Sequence, residues 1–317
     1  MNRHPLIQFC ILVIFLVGCK AQKTPQDYTD LNKGELSAAF VLQKLEEGHV
    51  NIQNKIIKGD LQLYVGNKQS QSYSKKVKYS ILFKNCVFEG SIIAFSTQGE
   101  NNVYLEFDND ITFIDCQFIG SVQAKESTWN GRVLFKKCLF KNTASFEGAS
   151  FRGKQLGFIE CHFAKEARFQ RLVCASYVNL MSTEFLEVCS FAKSNFQDVF
   201  LAGAVKFYRY ADFSGCVSEN SFIFNYSEFL GQAVFTDSHF RGQTEFFKTL
   251  FKKPVFLDNC LFVGSTKFLG GQYQDSLVLR SSRFVWAQPD FESAQISDKS
   301  KFTSIGSKVL ESKSLSF

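Results

Sequence analysis

The chain has 317 residues, with 36 Lys and Arg against 30 Asp and Glu and a formal net charge of +6 at pH 7. The charges are dispersed, with no long basic run and no arginine stripe, which excludes the concentrated patch a nucleic-acid partner needs. Phenylalanine is the outlier, 37 residues against 2 Met and 4 Pro, so a chain long enough for a large core builds it from one ring type.

Residues 1–18 read as a targeting leader. Arg3 and His4 give a short basic start, and residues 6–17 form an apolar run too short to span a bilayer comfortably. Leu16, Val17, Gly18 and Cys19 close it, and this Leu-Val-Gly-Cys resembles the lipobox of bacterial lipoproteins. The resemblance implies cleavage before Cys19 and lipidation of Cys19, so that the membrane becomes a partner through acyl chains. Lys20 stands where the inner-membrane retention signal of enterobacterial lipoproteins would have aspartate, which points to the outer membrane of the cell envelope. Residues 19–33 read as a linker.

Residues 34–48 predict a short capping helix, with Leu36, Phe40, Val41 and Leu45 on one face and Gly48 as its stop. A solenoid is expected over 49–291. SQSYSKK at 70–76 reads as a surface loop. Phe83 and Phe88 precede Phe113 and Phe118 by 30 residues, so STQGENN at 96–102 reads as a looped-out excursion.

From Phe113 the chain can be walked in steps of 5, 6, 5 and 6, landing on Phe113, Phe118, Ala124 and Trp129, then on Phe135, Phe140, Phe146 and Phe151. With one inserted residue after Phe151, the walk continues to Phe284, and most landings are Phe. A period of 22 is too short for a helix pair or a propeller blade. Four steps per period imply four brief strands joined by corners. Side chains alternate in a strand, so the residue two before each landing also points inward. Those positions are mostly small, as in Cys116, Ala167, Thr183, Ser194 and Ala211, and large and small positions can interleave without voids. Glycine often falls two after the Phe, as at Gly120, Gly148, Gly215 and Gly242, where a corner needs permissive backbone.

Phe at the centre with Ala, Cys, Ser or Thr two before it resembles the pentapeptide-repeat family in a Phe-rich form with stretched spacing. Residues 34–63 are similar to the short helix and II-x-GDL-x-L lead-in that precede many such solenoids. The resemblance covers roughly 34–291 and implies an all-β fold, a right-handed quadrilateral β-helix of about 22 residues per coil behind a short N-terminal helical cap. Residues 292–317 are Ser/Lys-rich and off-period, and are expected to form a C-terminal cap or flexible tail.

Cys86, Cys116, Cys138 and Cys161 each sit two before a Phe of one column, so they read as an interior ladder of small hydrophobes. Their spacing lacks the convergent pairs of a zinc site, and parallel stacking suits disulfides poorly. No metal, cofactor or catalytic set is expected. His162 should face outward beside inward Cys161, and Asp108-Asn109-Asp110 reads as a solvated turn rather than a Ca²⁺ loop. Leu186, Tyr208 and Leu230 follow column Phe residues on three successive coils and should form an outward apolar strip, a candidate surface for a protein partner or for self-association. The expectation is a non-enzymatic envelope lipoprotein acting as a structural or interaction scaffold. The alternatives are a β-helix carbohydrate-active enzyme, which needs clustered outward carboxylates, and a self-associating assembly component with open coil edges.

Overall fold

A run of one- or two-residue alternations cannot form long strands, and most strands here are two residues long. The computed structural model describes residues 33–48, 50–64, 73–98 and 101–310. The leader, Cys19 and all of the linker except Lys33 lie outside the described residues. The described chain winds into about 12 turns whose strands stack into four sheets of 12, 10, 11 and 12 strands. We call the sheets faces 1 to 4 in the order the chain meets them from Ile111–Ile114 (face 1) through Gln117–Phe118 (face 2) and Val122–Gln123 (face 3) to Thr128–Trp129 (face 4).

The pairing follows the predicted columns. Phe113 is in register with Phe83 and Phe135, and Phe135 with Phe158. On face 2 the register runs from Phe118 through Phe140, Phe163, Phe185, Phe207 and Phe229 to Phe251 and Tyr273. The extra residue after Phe151 is absorbed at a corner, since Trp129 still pairs with Phe151 and Phe135 with Phe158.

Rings in one column lie nearly parallel, 4.8 Å apart for Phe113 and Phe135 and 4.3 Å for Phe140 and Phe163. Rings from neighbouring faces meet edge-on, as Phe163 and Phe169 do at 83°. Both arrangements suit the ring quadrupole. Where the face 1 column shrinks to Leu180 and Ala202, Phe200 turns inward two residues earlier and packs edge-on to Phe191 at 5.6 Å.

The corners are of two kinds. Those entering faces 2 and 4 are tight turns with a left-handed residue at the third position, such as Ser182 at φ 56° and Lys193 at φ 59°. Thr183 N–H closes one of these onto Leu180 at 3.1 Å, the type II geometry. The next residue is small and often polar, and it binds the previous coil. The Thr183 hydroxyl donates to the Phe158 carbonyl at 2.6 Å and accepts from Cys161 N–H at 3.2 Å. Ser194 does the same with Phe169 carbonyl (2.9 Å) and Leu172 N–H (3.0 Å). Ser238 repeats it with Phe213 carbonyl (2.8 Å) and Cys216 N–H (3.0 Å). Corners entering faces 1 and 3 mostly carry apolar residues at that position, as in Val178, Phe200, Ala144, Ala211 and Ala233, with Thr244 and Thr266 as exceptions on face 1. Two glycines show why side chains are absent from some corners. Gly148 sits at φ 69°, and a Cβ on Gly120 would lie 2.3 Å from the carbonyl of Gly90 on the coil before.

Four expectations are corrected. Residues 34–37 form a strand, Gly34–Ser37, paired with Lys55–Lys58, and the helix α1 spans only Ala38–Glu46. Ser37 caps α1 by accepting from Phe40 N–H at 3.1 Å. This later start rotates the buried stripe to Ala38, Val41 and Leu45, leaving Phe40 42% exposed beneath the Lys44 ammonium. Second, within SQSYSKK, Tyr73–Val77 is a strand of face 4 in register with Val103–Phe107, and residues 70–72 lie outside the described residues. Third, the excursion at 96–102 is a hairpin, with Phe95–Gln98 antiparallel to the start of Asn101–Phe107. Fourth, coiling continues beyond 291. Gln295–Ile296, Phe302–Thr303 and Lys308–Val309 pair with Gln272–Tyr273, Leu277–Val278 and Arg283–Phe284.

The four ladder cysteines lie inside the wall, each at most 2% exposed. Their thiols donate to the main chain, Cys116 to Phe83 carbonyl at 3.5 Å and Cys161 to Phe135 carbonyl at 3.3 Å. All eight described cysteines are free and buried.

Two outcomes follow from this wall. Thr183→Val keeps the shape but strips Cys161 N–H and Phe158 carbonyl of their partner, and should lower stability by about 1–3 kcal/mol in urea unfolding. Burial pushes Cys216 and Cys260 from 9.0 up to about 12. Above pH 9 the unfolded chain has released protons that the folded chain keeps, so stability should fall as pH rises from 9 towards 12. Urea midpoints at pH 8 and 10 measure this, and Cys216→Ser/Cys260→Ser should reduce the dependence without abolishing it, since burial also raises Cys174 and Cys189.

Candidate interaction surface

Residues on either side of an inward Phe point outward. On face 2 the residue before it forms a column of His162, Glu184, Lys206 and Glu228 in direct register. His162 Nδ1 lies 3.1 Å from Glu184 Oε2, and Lys206 Nζ lies 3.2 Å from Glu228 Oε1. The hydrogen bond with His162 holds the Glu184 carboxyl below the usual carboxylate range, against a smaller opposing effect of burial. Cys161 faces the interior while His162 is bonded on the outside to Glu184, so this adjacent pair does not act as a nucleophile and base.

The residue after each Phe gives the second column. Leu186, Tyr208 and Leu230 are tied in sequence, with Tyr208 N–H donating to Phe185 carbonyl and Leu230 N–H to Phe207 carbonyl, at 2.9 and 2.8 Å. Tyr208 is 37% exposed and the two leucines are half-buried. Partial burial raises the Tyr208 phenol, with the nearby Glu184 adding to it.

The strip is wider than the sequence reading drew it. Val188 and Tyr210 are exposed on the adjoining corner, and Cys189 N–H donates to Tyr210 carbonyl at 3.0 Å, so they sit one coil apart. Between the tyrosines, exposed Arg209 has no acidic partner among the described residues. The result is a patch of Leu186, Val188, Tyr208, Arg209, Tyr210 and Leu230. The alternation rule that selected Tyr208 also selects Val188 and Tyr210, because each immediately precedes an inward small residue, Cys189 or Ala211. Tyr and Arg set among aliphatics is the composition of interface anchors.

The outward carboxylates do not gather. Many pair with a cation on the neighbouring coil, Glu219 with Arg241 at 2.9 Å, Asp258 with Arg280 at 3.0 Å, and Glu245 with Lys267 at 3.0 Å. Asp108 and Asp110 line a groove, but each has a structural partner. Asp108 accepts from the Asn130 amide at 2.9 Å, and Asp110 from Arg132 N–H at 2.9 Å. Arg132, Arg152 and Lys154 share that groove, which makes residues 108–110 unsuited to a calcium ion. Among the described residues no group of three or more His, Cys, Asp or Glu is placed to hold a metal.

Residues 124–173, which form coils in the middle of this stack, match the family model described as pentapeptide repeats (9 copies). No curated protein and no solved structure matches the chain. The match over these coils and the four-sided stack around them support the repeat family for this β-solenoid.

Proposed function

We propose that the protein is a non-enzymatic scaffold of the cell envelope, held to the membrane by lipid on Cys19, that offers the side of its solenoid to a protein partner. The observation that supports this most is the Tyr208 patch. It lies on a regular face, no described segment covers it, and beside it His162 pairs with Glu184 and Lys206 with Glu228, while exposed Glu187 and Arg209 on successive coils have no ion-pair partner among the described residues. A solenoid contacts itself only between neighbouring coils, so its sides are available along the whole length. The paired outward carboxylates speak against the carbohydrate-active alternative, which needs two of them free across one cleft.

A second reading, self-association, is favoured by the C-terminal end. The last strands, Gln295–Ile296, Phe302–Thr303 and Lys308–Val309, have no further described strand on their outer edge, and Ile305 is 76% exposed beside Val309 at 41%.

Both halves of the main proposal have direct tests. Tyr208→Glu puts a charge at the centre of the patch and should remove a discrete partner band from affinity capture in envelope extracts, with melting unchanged. The same band at full strength with Tyr208→Glu would refute the patch. Cys19→Ser should abolish incorporation of radiolabelled palmitate and move the protein from the membrane to the soluble fraction, whereas a labelled and membrane-bound variant would refute the anchor.

A further inference from the structure

The period of the solenoid is broken once between Phe113 and Phe284, after Phe151, where the step from face 4 to face 1 takes seven residues and elsewhere six. That corner borders a groove of about 630 Å³. The groove crosses the same corner on three successive coils and is lined by Asp108 to Asp110, by Asn130, Gly131 and Arg132, and by Arg152, Gly153 and Lys154.

Its floor is bare backbone. A Cβ on Gly131 would lie 2.2 Å from the Asn109 carbonyl oxygen, and one on Gly153 would lie 2.1 Å from the Gly131 carbonyl oxygen. Only glycine fits at either level, because the backbone of the coil before takes the place of a side chain, as it does at Gly120, Gly242 and Gly264. Ser176 on the following coil donates to the Gly153 carbonyl at 2.7 Å and fixes the lengthened corner from below. No apolar side chain lines the groove, which excludes a lipid tail or an aromatic ligand.

The lining carries one net positive charge, Arg132, Arg152 and Lys154 against Asp108 and Asp110. Arg132 is matched, its guanidinium 3.5 Å from Asp110. Arg152 and Lys154, both exposed, have no acidic partner among the described residues. Opposite them, Asp108, Asn109 and Asn130 present amide and carboxylate oxygens, and a carboxylate that accepts one hydrogen bond has further lone pairs to offer.

We propose that this groove binds an acidic saccharide. Its anionic group, carboxylate or phosphate, is taken by Arg152 and Lys154, and its ring hydroxyls by Asp108, Asn109 and Asn130. A lone oxyanion would use only the cationic side, and an open groove of about 630 Å³ has room for a larger ligand lying across it. The site is separate from the Tyr208 patch, which stands on later coils and other faces, and it does not depend on the partner proposed there.

Titration calorimetry on the full chain, with four probes, tests this. Trigalacturonic acid carries carboxylates on sugar rings, glucosamine 6-phosphate carries a phosphate on one, maltotriose is neutral, and inorganic phosphate lacks the ring. At least one acidic sugar should bind, with affinity about tenfold or more above maltotriose and above inorganic phosphate, and weakening as salt rises. Which of the two binds better identifies the anion. Arg152→Gln/Lys154→Gln should weaken that binding about tenfold or more with unchanged melting, since both side chains are exposed, while Arg209→Gln should leave it unaltered. The proposal is overturned by no heat with either acidic sugar, by inorganic phosphate binding as tightly as the sugars, by an Arg152→Gln/Lys154→Gln protein that binds like the parent, or by equal loss in Arg209→Gln.

Discussion

The structure depends on how a chain that turns a corner every five or six residues satisfies the backbone groups those corners bury. A left-handed residue at the tight turns leading into faces 2 and 4 aims one N–H and one carbonyl at the interior, where at some corners they bond each other, as Thr183 N–H does with the Leu180 carbonyl, and at others need a partner. The small residue of the next coil closes the deficit, as Thr183 does for Cys161 N–H and Phe158 carbonyl and Ser194 for Leu172 N–H and Phe169 carbonyl. A side chain here must be short enough to lie inside the wall and must carry a hydrogen that can rotate. Serine, threonine and, more weakly, cysteine qualify. Each such bond joins two coils, so satisfying the corners and stacking the coils are one process, and a coil cannot be added without its neighbour.

The phenylalanine columns follow from the same spacing. Parallel strands repeat at about 4.8 Å, close to the separation at which two rings stack, so a ring repeated in register keeps contact along the stack without adjusting its rotamer. The centroid distances along face 2, 4.3 Å for Phe140 and Phe163 and 5.1 Å for Phe185 and Phe207, straddle that value. Where a column loses its ring, the volume is recovered nearby, as Phe200 does beside Ala202. The interior therefore stays filled although no single position is invariant in size.

These two constraints explain what the sequence makes legible. The columns, the four faces and the inward cysteines are visible because the inward positions repeat with a fixed period and a narrow choice of residue. The tendency of corners towards polar and apolar kinds was also written there, mostly Cys, Ser and Thr before faces 2 and 4 against mostly aliphatics before faces 1 and 3, but pooling all small residues hides it, and Val205, Leu172, Thr244 and Thr266 depart from it. The last coil escapes because its spacing stretches, Tyr273 to Ile296 and Phe284 to Val309, and the rings give way to aliphatics. Tyr73–Val77 escapes because it carries no Phe and enters its sheet after an excursion. Phe40 faces outward because the strand Gly34–Ser37 removes Leu36 from the helical stripe, and that strand depends on a pairing partner 21 residues away. Val188 and Tyr210 needed only the alternation rule applied one corner further. The groove was marked by the slip after Phe151, which reads as an irregularity until the bare glycines on either level are seen beside it.

Outward positions are free of both constraints, so their pattern carries different information. Along parts of this surface they settle into ladders of opposite charge between coils, exposed pairs worth little each. Two places differ from those ladders in their surroundings. One is where Arg209 lies between two exposed tyrosines, and the other is where Arg152 and Lys154 share a groove with Asp108 and Asp110. The first is apolar and raised on a face, which suits a protein surface. The second is wholly polar and recessed at a corner, which suits a small hydrated ligand. A wall whose interior is fixed coil by coil can carry both, because altering an outward residue changes none of the bonds that hold the coils together.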